Sequence, residues 1–229
     1  MARTRLSTAI VHDYLRLIGS GELRPGDLLP PEATVCEMYS VGRSVVREAF
    51  QALDAKGFVL VRQGATTSVA PKRNWHVLDP DFLEVNTGAE FFELLQETRD
   101  HIEPQIAALA AARATKEQIV AMEAILERQS ATSSPKEHAE LDIAFHEAIA
   151  RATDNSVLAS MHDLITGLGH RARVASTEVD GAMERAEDWH RIVLEAIKKG
   201  DSEGASAAMF LHLRQVRSEL AKVNLANMP

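Results

Sequence analysis

A short amphipathic helix predicted over residues 41–53 constrains the fold of this chain more than any other stretch. Its apolar residues recur every three or four positions, which predicts one face packed on a core. These residues are Val46, Ala49, Phe50 and Leu53. The opposite face places cations and a hydroxyl in the first turns, where a helix favours anions. It fits either a solvated surface or contact with DNA phosphates and base edges. Its residues are Arg43, Ser44, Arg47 and Gln51.

Two further helices are predicted before this one. An apolar helical pattern covers residues 8–18, with Ser7 as its expected N-cap. A second short helix begins at Pro31 and Glu32, because proline needs no donor in a first turn and glutamate complements the helix dipole. Two short helices joined by a tight turn at 40–42 predict a helix-turn-helix.

A β-hairpin is predicted directly after these helices. Strands are expected over residues 58–62 and 66–70, separated by a turn that contains Gly64. A hairpin that follows a helix-turn-helix is a wing, whose tip can reach the minor groove of DNA. The order of three helices and a hairpin is more specific than any single element.

The charge of the chain is divided unevenly, within a net charge of −8. Residues 1–75 carry ten Lys/Arg and seven Asp/Glu, a net +3, whereas residues 76–229 carry fifteen and twenty-six, a net −11. This asymmetry predicts two domains with different partners. The amino-terminal part can meet DNA while the acidic part maintains solubility.

The remaining composition indicates a cytoplasmic protein. Cys36 is the single cysteine, which excludes a disulfide framework and fits a reducing compartment. The basic start lacks the apolar core of a secretion signal, and no run of 18 apolar residues is present. We therefore expect no membrane partner.

The residues of the first part resemble a known family. The motif Gly-Glu-Leu-x-Pro-Gly-Asp-x-Leu-Pro at 21–30, the run Ser-Val-Val-Arg-Glu-Ala at 44–49, and Lys-Gly-Phe-Val at 56–59 are similar to the winged-helix domain of GntR transcription regulators. The resemblance covers roughly residues 5–70. It implies a DNA-binding dimer with a palindromic operator.

The same resemblance implies which residues contact DNA. Arg43 and Arg47 correspond to the two arginines of the family's recognition helix, and Ser44 and Gln51 share their face. In the wing, Gly64 and Thr66 take the place of the family's Gly-x-Gly motif. Ala33 stands where the family commonly has a DNA-binding arginine, so this chain departs from the pattern there.

Residues 71–88 are expected to form an ordered linker between a domain at 1–70 and a domain at 89–229. The phrase Asn-Trp-x-x-Leu-Asp-x-Asp-x-Leu, starting at Asn74, resembles the linker of GntR regulators of sugar-acid (galactonate-type) catabolism. The resemblance implies a sugar acid as the effector.

Only helical patterns are present from Glu90 onward. The predicted segments are 89–113, 116–131, 136–152, 154–177, 181–199 and 201–223. Stop and cap residues separate them, as at 133–135, 153–155 and 199–201. The predicted fold is therefore mostly α with a small β wing: a winged helix-turn-helix followed by an antiparallel all-α bundle.

Four residues of this bundle carry metal-ligand chemistry. Asp142 and His146 are four residues apart on one helix, and His190 and His212 lie on the apolar faces of two others. One interpretation is that these are hydrogen-bonded core residues. The other is a site for zinc, nickel or a similar divalent ion, which neutral imidazoles and a carboxylate can bind.

A second resemblance bears on this choice. Asp142-x-x-Phe-His146-x-x-Ile, the run after His190, and His212-Leu are similar to the FCD effector domain of FadR-like GntR regulators over about residues 90–222. It implies that these four residues converge on one ion. Zinc is the first expectation, with nickel and manganese as alternatives.

An acidic effector needs cationic partners. Arg99 opens the motif Arg-x-x-Ile-Glu-Pro, at which the family has an arginine facing the cavity, and Arg171 and Arg173 are further candidates. Arginine forks suit carboxylates, although at least one of the latter pair also fits a surface role. The other histidines are expected to be structural or surface residues, with His162 a candidate for the cavity wall. They are His101, His138, His162 and His170.

These observations favour a regulator over an enzyme. We expect a dimeric repressor that a small organic acid, bound at the metal, releases from its operator. A metal-dependent hydrolase and a direct metal sensor are the alternatives. No general base accompanies the motif, and cavity arginines are superfluous for sensing a cation.

Overall fold

A computed structural model describes residues 2–62, 66–86, 89–167, 174, 177 and 179–221 of the chain. The chain forms two compact units, residues 1–88 and residues 89–229. Within the described ranges, no helix combines the length and apolarity needed to cross a bilayer.

The first unit is a winged helix-turn-helix, as predicted. Its elements are α1 (Ala2–Gly19), α2 (Glu32–Tyr39), α3 (Arg43–Ala55), β1 (Val59–Leu60) and β2 (Ser68–Val69). The N-cap prediction for Ser7 is wrong, because α1 begins five residues earlier. The Ser7 hydroxyl instead donates a hydrogen bond to the Glu48 carboxylate at 3.0 Å.

Helix α3 buries the predicted apolar face. Val46, Ala49 and Leu53 are fully buried, and Val45 is buried as well. Phe50 meets Tyr14 of α1 edge-on, with the ring centroids 5.7 Å apart. This packing fixes α3 on the core and leaves its polar face outward.

The wing is shorter than predicted. Strands β1 and β2 pair antiparallel, with Val59 opposite Val69 and Leu60 opposite Ser68. An isolated bridge joins Leu28 to Ser68, so residues before α2 extend the ladder. The predicted tip residues 63–65 lie outside the described residues.

The connector packs onto the first unit. It contains a 3-10 turn (Lys72–Asn74) and α4 (Pro80–Val85), which Asp79 caps through its side chain. Phe58 stacks on Phe82 at 4.6 Å and contacts Trp75 at 5.6 Å, while the Trp75 indole donates to the Ala70 carbonyl at 2.8 Å. These contacts make the connector an ordered part of this unit.

Gly57 allows this connector to approach, and replacing it by alanine should destabilise the first unit strongly. Its φ is +76°, and an added Cβ would lie 1.9 Å from the Asn74 carbonyl oxygen. We expect Gly57→Ala to cost about 3 kcal/mol, because backbone must move. Gly21→Ala is the matched control: its φ is +77° but nothing lies within 4 Å of the added atom, so about 1 kcal/mol is expected. Denaturant unfolding measures both, and equal losses would contradict the steric explanation.

The second unit is helical throughout its described secondary structure. Its helices are α5 (Ala89–Arg113), α6 (Lys116–Ala131), α7 (Pro135–Arg151), α8 (Ser156–Gly167), α9 (Ala182–Lys199) and α10 (Ser202–Leu220). Local cap chemistry explains the boundaries: Thr115 and Gln118 form a capping box before α6, Ser134 caps α7, and Asp201 caps α10.

One predicted helix differs. The predicted segment 154–177 is helical over Ser156–Gly167 and at Val174, whereas Thr177 lies in a turn; residues 168–173, 175 and 176 lie outside the described residues. The Thr177 hydroxyl and amide both donate to the Val174 carbonyl, at 2.6 Å and 3.2 Å. Such local bonds compete with helix continuation.

The core of the second unit places the histidines inside. Helix α10 packs mainly on α5 and α9, around a cluster that includes Phe145, Val193 and Met209. His190 follows the apolar stripe of α9, and His212 follows that of α10. The stripe spacing therefore directs polar side chains into an apolar core, where they need partners.

Candidate functional site

The polar face of α3 is open to solvent. Arg43, Ser44, Arg47 and Gln51 are all exposed. Of the two wing residues expected to contact DNA, Thr66 is exposed and Gly64 lies outside the described residues. The face is thus accessible to a large ligand such as duplex DNA.

Arg47 lies in a surface groove between α3 and the wing. The groove is also lined by Gln51, Thr66 and Arg62. Sequence reasoning missed Arg62, although a cation at the end of a wing strand was a usable signal. The Arg47 Nε donates to both Glu32 carboxylate oxygens, at 3.0 Å and 3.2 Å, which orients the guanidinium over the groove.

In the second unit, three helices bring together four side chains that could hold a metal ion. Asp142 and His146 come from α7, His190 from α9 and His212 from α10, and all four are buried. One ligand atom from each lies within 4.8 Å of the others. The Nε2 atom of His212 is 3.3 Å from that of His146 and 3.2 Å from that of His190, which lies 3.3 Å from the Asp142 carboxylate.

Two outer residues orient the imidazoles. The Nδ1 atom of His146 is 2.6 Å from Glu103, and that of His190 is 3.0 Å from the Gln129 carbonyl oxygen. The Gln129 amide nitrogen donates to the His138 carbonyl, which fixes its orientation. Both imidazoles therefore donate from Nδ1, an arrangement that leaves Nε2 as the ligand atom of a neutral ring.

This donor set fits a divalent cation. Nitrogen atoms 3.2–3.3 Å apart can share a proton or bind one cation in common, and the carboxylate beside them favours positive charge at this point. Three imidazole nitrogens and one carboxylate oxygen suit zinc and similar borderline ions. The arrangement is therefore a candidate metal centre.

Burial favours the neutral form of His190 and His212. Burial lowers the pKa of His190, and the neighbouring Asp142 carboxylate offsets this effect only in part. Burial and the neighbouring imidazoles of His190 and His146 hold the pKa of His212 well below its usual range. Neutral imidazoles are the form that ligates metal, so these two side chains are in the protonation state that metal binding requires.

A second group of potential ligands, Glu103, His146 and His162, adjoins the first. Burial raises the pKa of Glu103, but Arg99 and His146 outweigh it and bring that pKa well below normal. The carboxylate is held by Arg99 Nε at 2.5 Å and by His146. Glu103 thus supports the first centre, and the i,i+4 spacing from Arg99 was its signal in the sequence.

Arg99 lies beside the centre and is 2 % exposed. Besides its contacts with Glu103, its Nη1 donates to Gln96 at 3.3 Å. A guanidinium has five N–H donors, so these three bonds leave donors for a further partner. Arg99, Asp142 and His212 line one cavity of about 20 Å³, which has room for about one water molecule.

The other arginines and histidines divide differently. Arg171 and Arg173 lie outside the described residues, as does His170. His162 is buried with its Nε2 4.0 Å from Glu103, and His101 is exposed. His138 lines the cavity, which sequence reasoning missed, although it lies four residues before Asp142 on α7.

Comparison with known proteins identifies both units. The model for bacterial regulatory proteins of the gntR family matches residues 6–69, and the model for the FCD domain matches residues 94–215. The chain is 38 % identical to the Uxu operon transcriptional regulator of Escherichia coli (strain K12), covering 86 % of this chain and 79 % of that protein. It is 31 % identical to the galactonate operon transcriptional repressor of the same strain, covering 82 % and 85 %.

A solved structure agrees with these relatives. The GntR protein of Streptococcus agalactiae superposes with a TM-score of 0.52 at 28 % identity, covering 92 % of this chain and 99 % of that one. The winged helix-turn-helix and the helical unit are thus found together in transcription regulators. The chain belongs to the GntR family of bacterial transcription regulators, as a FadR-like member with an FCD effector domain.

Proposed function

We propose that this protein is a dimeric repressor that binds a palindromic operator and leaves it when a sugar acid binds at a divalent metal ion. Zinc is the first candidate for the ion, with nickel and manganese as alternatives. Residues 1–70 would bind DNA, residues 71–88 would connect, and residues 89–229 would hold the ion, the acid and the dimer contacts.

The observation that carries this proposal is the buried group of Asp142, His146, His190 and His212. Its three imidazole nitrogens and one carboxylate meet at a single point, which is the donor set that a divalent cation binds. Arg99 lines the same cavity and retains donors. An ion bound here would supply a Lewis-acidic contact for one carboxylate oxygen, while the Arg99 guanidinium binds the other.

The kind of acid is supported by the relatives. One of them is named for the galactonate operon, and galactonate is a sugar acid. We extend that class, but not that particular acid, to this chain. Arg171 and Arg173 remain proposed contacts of the acid.

The size of the cavity suggests how binding could act at a distance. A cavity of about 20 Å³ is far smaller than the several hundred Å³ of a typical ligand site. Helices α9 and α10 line it, so a bound acid must shift their side chains or backbone. A ligand that requires an expanded cavity binds the two conformations unequally, which is what allosteric control requires.

On the DNA side, we propose contacts from Arg43, Ser44, Arg47, Gln51, Gly64 and Thr66. Their support is the exposed polar face of α3 beside the wing. With alanine at position 33, Arg43 and Arg47 must carry more of the binding. Arg62, in the same groove, is an additional candidate for a phosphate contact.

A direct metal sensor is the second candidate. Two observations favour it. The cavity is too small for an acid in this conformation, and Arg99 is already bound to Glu103. In that case the ion alone would alter operator affinity. The two candidates make opposite predictions for metal-loaded protein without an acid.

A thermal-shift screen tests the proposal. Metal-free and zinc-loaded protein would each be heated with sugar acids such as galactonate, gluconate and glucuronate. At a ligand concentration of one hundred times Kd, binding should stabilise the loaded protein by about 2.7 kcal/mol, and metal-free protein much less. Absence of any shift across sugar acids with zinc, nickel and manganese would contradict an acid effector.

Replacing Gln129 by leucine should weaken metal binding without removing a ligand. The leucine cannot accept the His190 Nδ1–H, so the imidazole loses its fixed tautomer and orientation. We expect zinc affinity to fall about 10- to 100-fold, as measured by competition with a chromophoric chelator. Gln105→Leu, an exposed position on α5, is the control. Unchanged zinc affinity in Gln129→Leu would refute the orienting role.

A further inference from the structure

Several buried polar atoms without a hydrogen-bond partner lie along one cavity. Among the residues that the structure describes, they include both ring nitrogens of His138, Nδ1 of His212 and the side-chain oxygen of Gln215. All three residues line the cavity that also holds Arg99 and Asp142. Buried polar groups are normally paired, so this concentration indicates a missing polar partner inside the cavity.

His138 is the most fully buried of these groups outside the candidate metal centre. It is 2 % exposed and stands one turn before Asp142 on α7. Its Nε2 is 3.6 Å from Glu187, which is beyond hydrogen-bonding distance, and its Nδ1 has no hydrogen bond. An imidazole in this state can donate from one nitrogen and accept at the other.

Gln215 and Glu219 form a polar wall on α10. The Gln215 amide donates weakly to Glu219, at 3.4 Å, and its oxygen is left without a donor. Glu219 is buried and accepts from Arg185 Nε at 2.8 Å. This wall therefore offers the Gln215 amide and the Glu219 carboxylate, and the carboxylate is already paired with Arg185.

We propose that His138 and Gln215 bind hydroxyl groups of the effector and make the cavity select a polyhydroxylated monocarboxylate. This inference rests on the proposed function, in which the carboxylate of the acid binds beside Arg99 and the metal ligands. It adds the recognition of the rest of the molecule and names the residues that perform it.

Hydroxyl groups fit these partners better than a second charge does. Arg99 lines the cavity and is bound to Glu103, and the lining residue Glu219 is bound to Arg185. A second carboxylate near Gln215 would be buried beside Glu219, whose described cation Arg185 is already engaged, which is costly. A hydroxyl both donates and accepts, so it can satisfy the Gln215 oxygen and an imidazole nitrogen at once.

Acids with an unsubstituted alkyl chain are expected to bind weakly for a different reason. An alkyl chain would leave His138 and Gln215 buried and unpaired, so it would not relieve the penalty that a hydroxyl removes. A site built to bind hydroxyls discriminates strongly against analogues that lack them. The preference therefore arises from the protein groups that stay unsatisfied.

Calorimetric titration of the zinc-loaded full chain tests this preference. The probes are gluconate, hexanoate and adipate, which share a six-carbon chain and differ in hydroxyls and charge. We expect gluconate to bind more tightly than hexanoate by about tenfold or more, since one buried hydrogen bond accounts for about that factor. Adipate should bind no more tightly than hexanoate.

Two substitutions identify the residues responsible. His138→Phe and Gln215→Leu should each lower gluconate affinity about tenfold and leave hexanoate affinity unchanged. Zinc content and the unfolding midpoint check that each variant is intact. His101→Phe and Gln105→Leu, both exposed on α5, are matched controls. If His138→Phe does not fold, the half-buried Gln215 decides alone.

The outcomes separate the two proposals. Equal affinity for gluconate and hexanoate, or tighter binding of adipate, would overturn the hydroxyl preference while an acid effector stands. A preference for gluconate that survives both substitutions would overturn the assignment to His138 and Gln215. If no acid binds the loaded protein, the proposed function fails and this inference fails with it.

Discussion

Arg47→Ala is expected to weaken operator binding about 10- to 100-fold. The side chain is exposed on α3, lies in the groove beside the wing, and is held in orientation by Glu32. A guanidinium fork on a guanine edge contributes about 1–3 kcal/mol of discrimination. The operator would first be selected from random duplex DNA by the wild-type protein, and affinity would then be measured by fluorescence anisotropy.

Two control variants separate the possible origins of this loss. Arg47→Lys keeps the charge without the fork, so it should recover non-specific binding more than specific binding. Arg128→Ala removes an exposed arginine from the second unit and should change neither specific nor non-specific DNA binding. If Arg47→Ala loses only salt-dependent binding to every sequence, Arg47 contacts phosphate rather than a base. Operator affinity unchanged in Arg47→Ala would contradict its role in DNA binding.

The second large effect is expected at the candidate metal centre. His190→Asn should lower zinc affinity more than about 100-fold, which exceeds the effect of removing an outer residue. The imidazole is fully buried and its Nε2 faces both Asp142 and His212, so its loss removes one of the four candidate ligands from the centre. Competition with a chelator measures the loss, and His101→Asn, an exposed histidine, is the control.

The same variant should lose its response to the acid while it retains the operator. If the acid binds partly through the ion, His190→Asn protein should stay on DNA at acid concentrations that release the wild type. Circular dichroism checks that the variant is folded. Normal release of His190→Asn without bound zinc would show that the ion has no part in recognition of the acid.

The sequence predicted those features that depend on local periodicity. The apolar stripe of α3 was sufficient to predict its buried face, because a helix of that spacing has one such face. The caps at Ser134 and Asp201 marked helix boundaries for the same local reason. The predicted helix 154–177 is wrong at its end, Thr177, because the hydrogen bonds of Thr177 to Val174 are not visible in a hydrophobic pattern.

The site could be predicted only in part. The stripes of α7, α9 and α10 indicated that His146, His190 and His212 point inward, but their convergence depends on how the three helices pack. Gln129 has no sequence signal, since its role arises from contacts with His190 and His138 on two other helices. The unpartnered state of His138 likewise depends on tertiary packing.

Operator release in the presence of metal and acid, separately and together, tests the central claim most directly. Fluorescence anisotropy of the selected operator would be recorded with metal-free and zinc-loaded protein, each with and without gluconate. The proposed function predicts that operator affinity falls only when zinc and the acid are both present, by about 5- to 150-fold for a typical coupling. Release by zinc alone, or by the acid on metal-free protein, would contradict it.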